Sequence, residues 1–80
     1  MLRFVDKTWE TKSREEILAK RNELMQAMQD ELDSNAEYCE AQGWPSHGSN
    51  YDLMSEDTQA YYADDIDYLY SLLTRFGEEN

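Results

Sequence analysis

The stretch SREEILAKRNELMQAMQDELDSNAEYCEAQG, residues 13–43, decides the architecture of this chain. Its first four residues have the form of a capping box, in which the Ser13 hydroxyl accepts the Glu16 amide and the Glu16 carboxylate reaches back to the Ser13 amide. At about 100° per residue, Ile17, Leu24, Met25, Met28, Leu32, Ala36 and Cys39 fall within one arc about 120° wide, with Leu18 at its edge. Glu15, Glu23, Asp30, Asp33, Glu37 and Glu40 fall on the opposite arc. The pattern predicts an amphipathic helix over residues 13–42. Gly43 offers a left-handed stop, and Pro45 keeps Trp44 out of helical geometry.

Residues 43–54 read as a loop. Ser55 then offers a second cap, with Glu56 and Asp57 in a first turn where the helix dipole favours anions. In this second helix, residues 55–76, Tyr62, Ile66, Leu69, Tyr70, Leu73 and Phe76 share one face. Glu56, Asp57, Asp64 and Asp67 occupy the other, Tyr61 and Tyr68 lie on the border, and Gly77 is expected to close the segment. Two such helices pack most simply as an antiparallel hairpin, so the expected class is all-α, a single domain with residues 1–12 as a short arm or strand. A lone strand has no partner, which favours an arm or an extra turn packed on the hairpin. Length raises a difficulty. The first helix would measure about 45 Å, whereas a compact domain of this size is about 30 Å across. The sequence therefore predicts either a break near Asp33-Ser34-Asn35 or an overhang that pairs with another chain.

Charge is the second strong signal. The 80 residues carry 18 acids and 7 bases, a net charge of -11. Residues 22–74 hold twelve carboxylates and no Lys or Arg, while residues 1–21 hold six of the seven cations. That balance disfavours direct contact with nucleic-acid phosphates or anionic lipid headgroups. At 40% hydrophobic and 12% aromatic, the chain is too rich in apolar side chains for a disordered acidic tail. Uninterrupted apolar runs are only a few residues long, far short of the ~20 needed to span a bilayer. The lone Cys39 excludes an internal disulfide and fits a reducing compartment, so a soluble cytoplasmic protein is expected.

Chemical motifs are incomplete. Asp64-Asp65-Ile66-Asp67 is rich in carboxylates, but a calcium loop needs alternating oxygens and a turn-making glycine, and these acids fall on a helix. Cys39 and His47 lack an orienting third group for nucleophilic catalysis and fall short of the four ligands of a structural zinc site. Gly43, Gly48 and Gly77 are isolated, so no phosphate-cradling loop is formed. The expectation is a protein without catalytic residues, metal or cofactor.

Like charges three or four residues apart on a helix cost about 0.2–0.5 kcal/mol each, so both helices together carry about 1–3 kcal/mol of repulsion, a substantial part of a small domain's margin. Charge kept at that cost suggests a basic partner. The expected function is that of a non-enzymatic acidic protein that mimics DNA in charge and inhibits a nucleic-acid-binding enzyme, such as a defence nuclease. The expected partner-binding residues are Glu23, Asp30, Asp33, Glu37, Glu40, Asp57, Asp64 and Asp67, with Tyr61 and Tyr68 as an aromatic rim for Arg or Lys. One ladder is sparse, at one charge per ~6 Å against one per ~3.4 Å of each DNA strand; two helices side by side, or a homodimer, would raise the density. The alternative is a helical adaptor or assembly subunit that buries its apolar stripe against a partner, with Met25 and Met28 as an adaptable face.

Overall fold

Ser13 opens the first helix as its sequence predicts, its Oγ accepting the Glu16 amide at 3.2 Å. In the computed structural model, which describes residues 2–45 and 48–79, this helix, α1, runs Arg14–Ala41. It ends in a Schellman motif: the Trp44 amide donates to the Cys39 carbonyl at 2.8 Å and the Gly43 amide to the Glu40 carbonyl at 3.0 Å. Gly43 has φ +78°, and nothing lies within 4 Å of where its Cβ would sit, so glycine is favoured there by backbone angle rather than by space.

The second helix, α2, runs Ser49–Glu79 and so starts six residues before the expected Ser55 cap. The Gly48 carbonyl takes the Asp52 amide at 2.8 Å, and Ser55 sits inside the helix, accepting from Gln59 Nε2 at 2.9 Å. Gly77 does not end α2; positive φ occurs only at Gly43 and Gly48 among the described residues. His47 lies outside the described residues. The extra residues give Met54 a place opposite α1, a tertiary gain that a local cap signal cannot register.

The expected break at 33–35 is absent. Asn35, whose side chain would otherwise compete for its own backbone, instead reaches across to α2, donating Nδ2 to Thr58 Oγ1 at 3.0 Å. The length difficulty resolves through shape: the molecule is a rod of 50 × 20 × 18 Å, and the long α2 accompanies α1 along it.

Three interhelix contacts fix the register. Cys39 Sγ meets Met54 Sδ at 4.0 Å, Asn35 bonds Thr58, and Glu31 Oε1 accepts from Tyr62 Oη at 2.7 Å. Each step of four toward the start of α1 matches a step of four toward the end of α2, which defines an antiparallel pair. The same register sets Leu24 against Leu69. On α2 the buried positions are Thr58, Tyr62, Asp65, Leu69 and Leu72, alternating at four and three residues as in a coiled coil. Ile17, Leu24 and Cys39 supply buried positions of α1. Two expected core residues lie outside this seam: Tyr70 is 60% exposed and Met25 39%.

Residues 2–12 form an arm that contains a 3-10 turn, Lys7–Thr11, and no strand. Asp6 caps this turn, accepting from the Thr8 amide at 3.0 Å and from the Thr8 hydroxyl. Those bonds, the hydroxyl one first, hold the Asp6 carboxyl below its ordinary pKa. Val5 is buried, and Leu2, Phe4 and Trp9 pack on the core; the Phe4 ring stacks on Tyr62 at 5.2 Å and meets Tyr61 edge-on at 5.4 Å.

What fastens the arm is Asp65, a carboxylate with 0% exposure. Its Oδ2 accepts the amides of Arg3, Phe4 and Val5 at 2.8, 2.9 and 3.2 Å, and its Oδ1 accepts Arg3 again at 3.1 Å. Three successive backbone N–H groups turned on one anion form the kind of concavity by which loops bind phosphates. Here the anion belongs to the chain itself.

Candidate partner-binding surface

The antiparallel register sorts the charges by end. Arg14, Lys20 and Arg21 of α1, Arg75 of α2 and the arm's Lys7 and Lys12 belong to the open end of the hairpin, while the arm's Arg3 reaches the middle of the rod, over Tyr61. At the closed end, residues 30–41 of α1 lie beside residues 52–63 of α2 and carry Asp30, Glu31, Asp33, Glu37, Glu40, Asp52, Glu56 and Asp57 without one Lys or Arg. These eight carboxylates span about 18 Å of axis, or one per ~2 Å, against one per ~1.7 Å for duplex DNA counted over both strands. The pairing of helices within a single chain thus supplies the density that a single ladder lacks.

Asp30, Asp33, Glu37 and Glu40 are all exposed along the outer face of α1. Asp30 accepts from Gln26 Nε2 at 3.0 Å and Asp33 from Gln29 Nε2 at 3.1 Å. These neutral donors orient the carboxylates without cancelling their charge. Glu37 and Glu40 sit near the C-terminus of α1, where the helix dipole is unfavourable to anions and no basic residue occupies the last turn. Asp57 and Asp67 are exposed on α2, away from the shared core, so the helices contribute anionic faces on different sides of the rod rather than one merged strip.

The remaining expected residues are partly engaged within the chain. Glu23 pairs with Lys20 at 2.6 Å. Asp64 has an interaction partner of its own. Arg3 lies over the Tyr61 ring at 4.5 Å, and Tyr68 Oη donates to Glu10 Oε1 at 3.4 Å. Burial first, then Glu10, raises the Tyr68 pKa. The tyrosine rim is therefore a seat for the arm. Sequence reasoning missed Asp65 and the Glu31–Tyr62 pair because it sought only apolar side chains for the core, and it missed Leu72 because it centred the α2 stripe on Tyr70 and Leu73; the four-three spacing from Thr58 to Leu72 is the available signal.

Tyr62 carries a pH prediction. Its hydrogen bond to Glu31, its burial and the Glu31 charge push its pKa from 10.0 to about 12. The neutral phenol is the form favoured by folding, so this contribution is fully present below pH ~10 and disappears as pH rises from about 10 to about 12. Tyr62→Phe should remove that alkaline loss and lower stability at neutral pH by about 1 kcal/mol. Urea denaturation at pH 7 and pH 11 checks both; an unchanged alkaline slope in the variant would contradict the assignment.

Among the described residues, no group of three or more His, Cys, Asp or Glu is placed to hold a metal ion, and no helix is long and apolar enough to cross a membrane. A shallow groove of about 350 Å³ between the arm and α1 is lined by Trp9, Lys12, Glu16, Ala19, Lys20 and Glu23, a set of mixed charge. No protein-family model, curated protein or solved structure matches the chain.

Proposed function

We propose that this protein is a non-enzymatic acidic inhibitor that occupies the nucleic-acid channel of a basic enzyme, such as a nuclease, in place of DNA. The observation that carries the reading is the closed half of the rod, where the register stacks eight carboxylates at nearly the axial charge density of a duplex on helix segments that carry no Lys or Arg of their own, Arg3 of the arm reaching only their inner edge at Tyr61. Such a body gains fast, electrostatically steered association with a basic cleft and is repelled by nucleic acid itself. Asp30, Asp33, Glu37 and Glu40 stand in for phosphates on one side, with Asp57 and Asp67 on α2.

The test is competition. Nucleic-acid-binding proteins retained by the immobilised chain at low salt should be displaced by duplex DNA and by raised salt. Indifference to both would remove the proposal. Replacing Asp30, Asp33, Glu37 and Glu40 together by Asn and Gln should weaken retention at least tenfold while raising stability by about 0.5–1.5 kcal/mol, since three like-charged neighbour pairs are relieved. Opposite signs for binding and stability separate lost recognition from lost folding.

A second reading, a helical adaptor or assembly subunit, draws on one observation. Leu18, Met25 and Leu32 lie seven residues apart along α1, Leu18 and Leu32 half-buried and Met25 exposed, with apolar surface left open for another helix or a second copy. Association through that row would persist or strengthen as salt is raised.

A further inference from the structure

We infer that Tyr38 and Trp44, at the closed end of the hairpin, form an anchor for an arginine side chain of a basic protein partner. The inference rests on the DNA-mimic reading above and narrows it to one point of contact.

The chain treats its other open rings in a consistent way. Arg3 covers Tyr61 at 4.5 Å, Arg21 covers Tyr70 at 5.4 Å and Lys12 covers Trp9 at 5.5 Å. Each of these rings is met by a cation of the arm or of the first turns of α1. Tyr38 and Trp44 present the same kind of surface at the tip, within a stretch, residues 22–74, that carries no Lys or Arg. Their rings pack edge to face, 5.9 Å apart at 71°, with Tyr38 50% and Trp44 39% exposed.

The pair is positioned rather than loosely hung. The Trp44 backbone is held by its amide bond to the Cys39 carbonyl in the helix stop, and Tyr38 lies on the last turns of α1, its carbonyl accepting the Gln42 amide at 3.1 Å. Glu37 and Glu40 flank Tyr38 in sequence, and Asp52 and Glu56 lie across the register on α2. A cation arriving there meets carboxylates of one sign and an indole face, the best of the ring types for a cation. Arginine fits better than lysine, because the planar guanidinium stacks on a ring while its fork engages a carboxylate and it sheds water more readily. The charge complement to this end is thus an arginine-bearing protein segment.

Calorimetric titration of the full chain with nona-arginine and nona-lysine peptides at low salt tests the anchor. The wild type should bind nona-arginine more tightly. Trp44→Ala and Tyr38→Ala should each lose about five- to tenfold for nona-arginine, with little change for nona-lysine, and Trp44→Phe should restore part of the loss. Both side chains are exposed, so unchanged circular dichroism is expected to accompany the effect. If the wild type binds nona-arginine in a salt-dependent way and Trp44→Ala binds it equally well, the anchor is wrong while the acidic surface stands. If the wild type binds neither peptide at low salt, the anchor and the DNA-mimic reading fall together.

Discussion

Asp65→Asn is expected to detach the arm and lower the stability of the chain by about 2–4 kcal/mol. The carboxylate is completely buried and accepts four contacts from the amides of Arg3, Phe4 and Val5. Hydrogen bonds to a charged acceptor contribute about 1.5–3 kcal/mol each, and buried donors left unpaired add a further penalty. Asparagine keeps one acceptor oxygen but turns an NH2 donor toward amides that are themselves donors. The loss has a ceiling, since a detached arm rehydrates its amides and forfeits only its own docking, including the packing of Leu2, Phe4 and Val5. Urea denaturation gives the stability change, and brief trypsin treatment should cut the variant first at Arg3 or Lys7. An Asp65→Asn protein with wild-type stability and an equally protected arm would refute the clasp.

Leu69→Ala should cost about 2–5 kcal/mol, the range for a fully buried leucine whose cavity cannot collapse. Leu69 has no exposed surface, occupies a seam position of α2 and packs in one cluster with Leu24, Leu72 and Tyr62. A domain of 80 residues has a total margin of about 4–12 kcal/mol, so much of the population could be unfolded at 37 °C. Tyr70→Ala provides the contrast. Tyr70 was a candidate for the same stripe by sequence, yet it is mostly exposed and covered only by Arg21 at 5.4 Å. Its loss should stay near 0.5 kcal/mol. Thermal melts of the two variants side by side decide it, and equal shifts would mean that the seam runs through Tyr70 after all.

The sorting of charge by end has an energetic consequence for the fold. The closed-end segments accumulate like charges with no Lys or Arg of their own, and the dipole of α1 adds to the penalty at Glu37 and Glu40. The open half holds most of the buried apolar cluster and the ion pair of Lys20 with Glu23. Most of the buried core and the densest acidic surface therefore lie toward opposite ends of one rod. This division lets the acidic end bear repulsion without disturbing the main core.

Much of the fold was legible in the residues. Ser13 and Glu16, the apolar arc from Ile17 to Cys39 and the Gly43-Trp44-Pro45 stop are local signals, and a helix with its cap and its end is a local structure; the hairpin followed from having two such helices. The exposed row Asp30, Asp33, Glu37 and Glu40 was equally legible, because helical spacing alone places it opposite the core. Tertiary structure decided the rest. That α2 reaches back to Ser49, that Asn35 serves the interface instead of breaking α1, and that Asp65 is a buried clasp and not a surface charge all depend on groups more than a dozen residues away in sequence. A carboxylate looks the same in a string whether water or three backbone amides will satisfy it; only the folded chain brings those amides within reach, and only the register of two helices sets how densely their charges lie.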